Sequence, residues 1–457
     1  MERNTEQIKL LAVSAGVFLL AALTYTGNVF KTADPALFQT FQQDSDRLVL
    51  DALRLGESFL GIAMDEGFQI YPSQFGAQLP LLRALGGLAS WSPESLSRIV
   101  AITMAATVAI ATYMVGRRLF HPVGAAAFGL LLTLSPMTVM IAGSVYWMAW
   151  SWFLPFLISL WLGPRLWTGR GLAMAALAWW ATLTLTNLFG YEYASAIAIA
   201  AAAPIVFVGL RMELSVVRVA FPCLVLGAMS VLAMATALSL HAWRLPTTVD
   251  GRGGWDQIAL IAEKSTTRDS DPATLRAACD ITPSVAVLDG EERATQRDVC
   301  VRNLERSQKA STAIILVSYA TFRRTVPWLG MPDLLDDSEL VPVRHALRRG
   351  DLGGALSGLG QTNATLSNLL ALPATMALVW LAIVVAAWQI WRRRGRGGGA
   401  QAAMLGVAAA APLSWFVLAS AHSYGHMHIS FVLWTLPFFP MLLAVIVDSG
   451  REAEPVS

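Results

Sequence analysis

The stretch VVRVAFPCLVLGAMSVLAMATALSLH, residues 216–241, is apolar throughout, with Arg218 as its single permanent charge. About 20 such residues, rising 1.5 Å each as a helix, cross the ~30 Å hydrocarbon core of a bilayer. A helix apolar on every face belongs in a membrane or deep in a large core. The same pattern recurs on both sides of it, at 9–26, 96–115, 122–142, 147–164, 171–189, 193–210, 373–391, 400–420 and 430–448. The expected fold class is an all-α polytopic membrane protein with about ten transmembrane helices.

Composition agrees. Apolar residues make up 55% of the 457 residues and charged residues 14%, against roughly 25% charge in soluble domains. That excludes a disordered chain. A net charge of +2, with no basic tract interleaved with aromatics, excludes nucleic acid as a partner. Three cysteines exclude a Cys-rich metal protein or a dense disulfide scaffold.

Lys and Arg orient the frame, because cytoplasmic loops concentrate them. Arg3, Lys9, Arg117, Arg118, Arg165, Arg170, Arg211, Arg218, Arg392–Arg394, Arg396 and Arg451 fall on one side, while the short loops near 143–147, 189–193 and 421–429 carry none. Both termini are therefore expected in the cytoplasm. The first apolar run has no small-residue cleavage site after it and reads as a retained helix. Three regions follow: a membrane region 1–241 with helices 1–7, which includes a long extracytoplasmic loop 27–95 with juxtamembrane helices; an extracytoplasmic domain 242–372 between helices 7 and 8; and a membrane region 373–457 with helices 8–10 and a short tail. Within 242–372, helices are expected at 271–279 and 291–309. The apolar run Ser311–Phe322 is too short to span and suits an interfacial or core helix. Cys279 and Cys300 lie on the oxidising side, where a disulfide closing their loop is expected. Cys223 lies within a span. Prolines 136, 155, 204, 222, 412, 437 and 440 read as kinks.

Polar residues concentrate on the extracytoplasmic side, in five segments able to line one cavity. Chemistry there has no direct access to ATP or a nucleotide sugar, and no phosphate-cradling Gly-Lys loop occurs. Asp44 and Asp46 open an amphipathic stretch. They either cap its first turn, act as a general base under an apolar lid, or hold Mg²⁺ or Mn²⁺. Tyr71, Gln74 and Gln78 follow, then Tyr146 and Trp147, then Tyr191, Glu192 and Tyr193. These rings are either interfacial anchors or sugar-stacking surfaces with amides alongside. Glu192 is the one acid at a short turn between tight spans and requires a partner when buried. His422 and His426 share a helical face, with His428 next to them. A zinc site, interfacial anchoring and contact with an anionic group all fit. Arg323 and Arg324 could serve the same anion.

The segments Asp44-Ser45-Asp46-Arg47-Leu48-Val49, Tyr71-Pro72-Ser73-Gln74-Phe75-Gly76-Ala77-Gln78, Gly190-Tyr191-Glu192-Tyr193 and His422-Ser423-Tyr424-Gly425-His426 are similar to those of a group of bacterial membrane proteins placed near the GT-C superfamily. That superfamily comprises integral-membrane glycosyltransferases that use polyprenyl-phosphate sugars and carry an essential acid in the first loop. The resemblance covers the membrane frame and first loop and says little about 242–372. It implies a multi-pass protein of the bacterial inner membrane with its site facing outward. It implies an Asp44 base, with Asp46 as second choice, and inverting transfer to a glycan, lipid or protein acceptor. His426, His422 or Arg323-Arg324 would face the leaving phosphate, and Tyr71, Gln74, Gln78, Tyr146 and Glu192 would position sugar and acceptor. No cofactor is required, although a divalent cation at Asp44/Asp46 is compatible. Two rivals remain. An O-antigen-type polymerase or ligase would rely on loop arginines such as Arg323 and Arg324. A flippase or transporter of lipid-linked sugars would need polar groups at the membrane midplane, which spans 101–115 and 193–208 nearly lack.

Overall fold

In the computed structural model the described residues are chiefly 2–33, 43–64, 67–86, 92–247, 251–266, 290–309, 373–393, 397–419 and 432–448. Helices dominate, and six of them are long and apolar enough to cross a membrane. Among the described residues the chain is an all-α membrane protein apart from one short hairpin.

The apolar helices in chain order are α1 (Glu2–Gly27), α4 (Pro93–Arg118), α5 (Pro122–Leu134), α6 (Pro136–Ile141), α7 (Leu154–Leu162), α8 (Gly169–Phe189), α9 (Ala194–Arg211), α10 (Val216–Arg244), α13 (Pro373–Arg392), α14 (Gly398–Leu418) and α15 (Phe439–Val447), and α1, α4, α8, α9, α10 and α14 are the six long enough to span. The first loop supplies α2 (Gln43–Leu55), strands β1 (Gly61–Met64) and β2 (Gly67–Ile70), and α3 (Gln78–Gly86). Beyond α10 lie α11 (Gly254–Thr266) and α12 (Gly290–Lys309). Cys279 and Cys300 are joined by a disulfide. The expected run Ser311–Phe322 lies outside the described residues, as does most of 271–279.

Proline acts differently from the expected kinks. Pro136 divides the run 122–142 into α5 and α6, and Pro155 sits in the first turn of α7 after a 3₁₀ turn, Ala149–Phe153. Both take the position where a missing N–H costs nothing. Pro204, Pro222 and Pro412 stay inside α9, α10 and α14. Pro437 falls in a π turn, Trp434–Phe438, and Pro440 in the first turn of α15.

Small residues and buried hydroxyls join the helices, since hydrophobicity alone does not drive association in lipid. A Cβ on Gly116 of α4 would stand 2.3 Å from the Leu10 side chain of α1 and 2.8 Å from Ala125 of α5, so these three helices meet at close range. Tyr25 of α1 donates to the Leu132 carbonyl at 3.0 Å. Trp179 and Trp180 of α8 donate to Ser230 and Thr236 of α10 at 2.9 and 3.2 Å. Ser414 of α14 donates to Ser195 of α9 at 3.1 Å. Val216, Val217, Leu224, Val231 and Trp243 leave an apolar face of α10 exposed, as a lipid-facing helix requires.

The first loop packs on this frame. Leu48, Val49 and Ala52 form the buried stripe of α2, and β1 and β2 pair antiparallel. The Asp51 carboxylate accepts from the Ala63 N–H at 3.0 Å. Gly76 adopts φ +82°, with Leu60 3.0 Å from where a Cβ would be, so a side chain there is both strained and crowded. Arg244, the last residue of α10, donates to the Phe75 carbonyl at 2.8 Å and to the Ser58 carbonyl. Its guanidinium lies 4.8 and 4.6 Å from the ring centroids of Phe59 and Phe75. One cation thereby fastens the loop to a spanning helix.

Candidate functional site

The loop from Gly143 to Met148 forms the centre of the site. Ser97 of α4 donates to the Gly143 carbonyl at 2.9 Å and fixes where the loop starts. Met148 ends it in the left-handed region, at φ 47°, before the 3₁₀ turn. Bulky residues rarely hold that conformation unless their surroundings impose it. Between these points Ser144 Oγ and the Tyr146 N–H both donate to Oδ1 of Asp46, at 2.8 and 2.9 Å. The Trp147 N–H in turn donates to Ser144 Oγ at 3.2 Å.

Asp46 is only partly exposed as a residue, and its carboxylate is enclosed by this loop. Burial pushes its pKa up to about 6, against the opposing pull of hydrogen bonds from Tyr146, Ser144 and Val145. A carboxylate poised there is ionised near neutral pH and still basic enough to accept a proton. Asp44, two residues earlier, is exposed. Among the described residues no group of three or more His, Cys, Asp or Glu is placed to hold a metal ion.

Three further segments close around Tyr146. Tyr71 packs on it with ring centroids 6.5 Å apart. Gln78, fully buried at the start of α3, donates from its amide to the Tyr146 carbonyl at 3.2 Å. Gln74 is buried against Gly190, where a Cβ would stand 3.0 Å from its amide nitrogen. The Ala77 N–H donates to the Leu188 carbonyl at 3.1 Å, which ties the Pro72–Gln78 segment to the end of α8, just before the turn at 190–193.

That turn carries Glu192, which burial pushes up to a pKa of about 7. Its charge adds to burial in holding the hydroxyls of Tyr71 and Tyr146 protonated. Asp46 therefore holds the backbone N–H of Tyr146, while the charge of Glu192 is felt at its phenol. Tyr193 follows at φ 66°, a second bulky residue in the left-handed region. Its ring meets Trp147, Trp152 and Trp415 edge-on at 6.0, 5.4 and 5.4 Å. Tyr193 also lines an apolar cleft between α5, α7, α9 and the π turn before α15, with Phe128, Trp152, Phe156, Ile197 and Leu433. Polar site and apolar cleft thus share one residue.

Of the residues expected from sequence, Asp46, Tyr71, Gln74, Gln78, Tyr146, Trp147 and Glu192 come together. Tyr191 turns aside: its hydroxyl pairs with Nδ1 of His241 at 2.9 Å. Arg323, Arg324, His422, His426 and His428 lie outside the described residues. His241 and Arg244 were missed because they look like the tail of an apolar run. The available signal was that ionisable groups at a span end are seldom idle. In comparisons with known proteins, the chain matches no family model, no curated protein and no solved structure.

Proposed function

We propose that this protein is a membrane glycosyltransferase of the kind its motifs resemble, moving a sugar from a polyprenyl-phosphate donor to an extracytoplasmic acceptor. In this reading ten spans, four of them shorter or broken helices beyond the six longest, place both termini in the cytoplasm of a bacterial inner membrane. The observation that carries the reading is the Asp46 carboxylate, buried, held by hydrogen bonds from Ser144 and the Tyr146 N–H and set among tyrosines and amides.

Asp46 Oδ2, which neither of those bonds uses, takes the proton from the acceptor hydroxyl. The freed oxygen attacks the anomeric carbon from the face opposite the lipid phosphate, forming the new C–O bond. The bond to the phosphate oxygen breaks and its electron pair leaves with the lipid phosphate, so the anomeric centre inverts. Ser144 and the Tyr146 N–H hold the base in place, which favours a near-attack geometry. The leaving phosphate needs a cation, a role for His422, His426 or the Arg323-Arg324 pair. The cleft beside Tyr193 offers an apolar lining for the prenyl chain, and the sugar sits between Tyr71, Gln74, Gln78 and Glu192.

The test is mass spectrometry of surface glycans and polyprenyl-phosphate sugars in a deletion strain and its complemented parent. The expected result is loss of one glycan decoration with build-up of its lipid-linked sugar, both reversed by the wild-type gene. Unchanged lipid and glycan profiles would sink the proposal and move transport or assembly roles ahead.

A further inference from the structure

Three amide side chains around the site are almost wholly buried: Gln74 is 6% exposed, Gln78 0% and Asn187 2%. In each of them the carbonyl oxygen is buried with no hydrogen-bond partner among the described residues. For Gln78 the orientation is fixed, because its N–H₂ end already donates to the Tyr146 carbonyl. Gln74 and Asn187 belong to the two segments joined by the Ala77–Leu188 backbone bond. Glu192 lies at the end of the same turn.

Burying an acceptor without a donor is unfavourable, and native structures keep few such groups. Three such oxygens, in the 74–78 segment and the last turns of α8 packed on it, lack the donors that would satisfy them. Arg244 and Arg83, cations of the described residues on this loop, are already engaged elsewhere: Arg244 with the carbonyls of Ser58 and Phe75, and Arg83 with those of Ala52 and Glu57.

We propose that Gln74, Gln78, Asn187 and Glu192 form the sugar subsite and select a ring presenting hydroxyl or ammonium donors, against one bearing a carboxylate or phosphate. The inference rests on the glycosyltransferase reading and adds the class of sugar. An anionic substituent would face a carboxylate and amide oxygens, a repulsive element that discriminates as effectively as a good contact attracts. A site whose buried acceptors need partners also rejects a ligand lacking the matching donors.

The test is saturation-transfer NMR titration of the full chain in lipid nanodiscs with methyl glycosides of three kinds: neutral hexosides, a 2-amino-hexoside and a glucuronide. The neutral and amino probes are expected to bind at least tenfold more tightly than the glucuronide. Gln74→Met and Gln78→Met, which keep side-chain length, should each weaken the favoured probes about tenfold. Equal or tighter binding of the glucuronide overturns the subsite, and so does absence of any glycoside binding to the wild type. Those wild-type comparisons stand even where a variant fails to fold. Binding with the expected order, joined to unchanged lipid-linked sugars in the deletion strain, would keep the subsite and remove the transfer reading. Transfer of a uronate-bearing sugar would do the reverse.

Discussion

Replacing Asp46 by Asn should make the protein more stable at neutral pH. Asn retains an oxygen able to accept from Ser144 and the Tyr146 N–H, but it has no charge to bury. Burial raises the Asp46 pKa from its ordinary 3.8 to about 6, so the fold favours the protonated acid. That contribution is complete below 3.8 and disappears as pH rises through about 6. At 1.36 kcal/mol per pH unit, the gap amounts to about 3 kcal/mol lost by the wild type across this window. The Asp46→Asn protein does not titrate there. The two should therefore melt together near pH 4 and separate by about 3 kcal/mol above pH 7, a Tm gain on the order of 5 °C. Thermal unfolding of detergent-purified protein, followed by tryptophan fluorescence from pH 4 to 8, reads this directly. A variant less stable than wild type at pH 8 would refute the reasoning. It would mean that a cation holds the charged form of Asp46 in the fold. Stability sacrificed at one carboxylate is the usual mark of a functional group.

Glu192→Gln should behave alike at higher pH. Its pKa rises from 4.5 to about 7 through burial, so the variant's advantage should appear between those values and level off above 7, again at about 3 kcal/mol. Melting curves at pH 5 and 8.5 check it. Arg244→Met removes two carbonyl contacts and two ring contacts, and should lower stability by on the order of 3 kcal/mol. Protease sensitivity should rise first in the 56–77 segment, which mass spectrometry of limited digests would locate. Gly116→Val drives a side chain into Leu10 and Ala125, and should cost about 1–3 kcal/mol by overpacking. A matching Leu10→Ala change should recover part of the lost Tm.

Six of the spanning helices were legible because lipid imposes one rule on every spanning segment, and 216–241 obeys it as read. The break at Pro136 was less so, since proline is tolerated both inside a span and at the first turn of a new helix. The acidic pair was visible as a motif, but its division of labour was not. Asp46 meets Ser144 and Tyr146, some hundred residues away in sequence, and no local pattern records that contact. The neighbouring Asp44 has the same chemistry and a different environment. Gln74, Gln78 and Glu192 could be picked out because polar groups are rare in such a chain. The backbone conformations of Met148 and Tyr193 could not, since a left-handed backbone at a bulky residue is set by its surroundings and leaves no trace in composition.

The central claim is that Asp46 is the base, and complementation tests it most directly. The deletion strain would carry wild type, Asp44→Asn or Asp46→Asn at matched membrane levels, with the glycan and its lipid-linked sugar quantified by mass spectrometry. The account expects wild type and Asp44→Asn to restore the glycan, while Asp46→Asn leaves the lipid-linked sugar accumulated despite being folded. Full restoration by Asp46→Asn would contradict it.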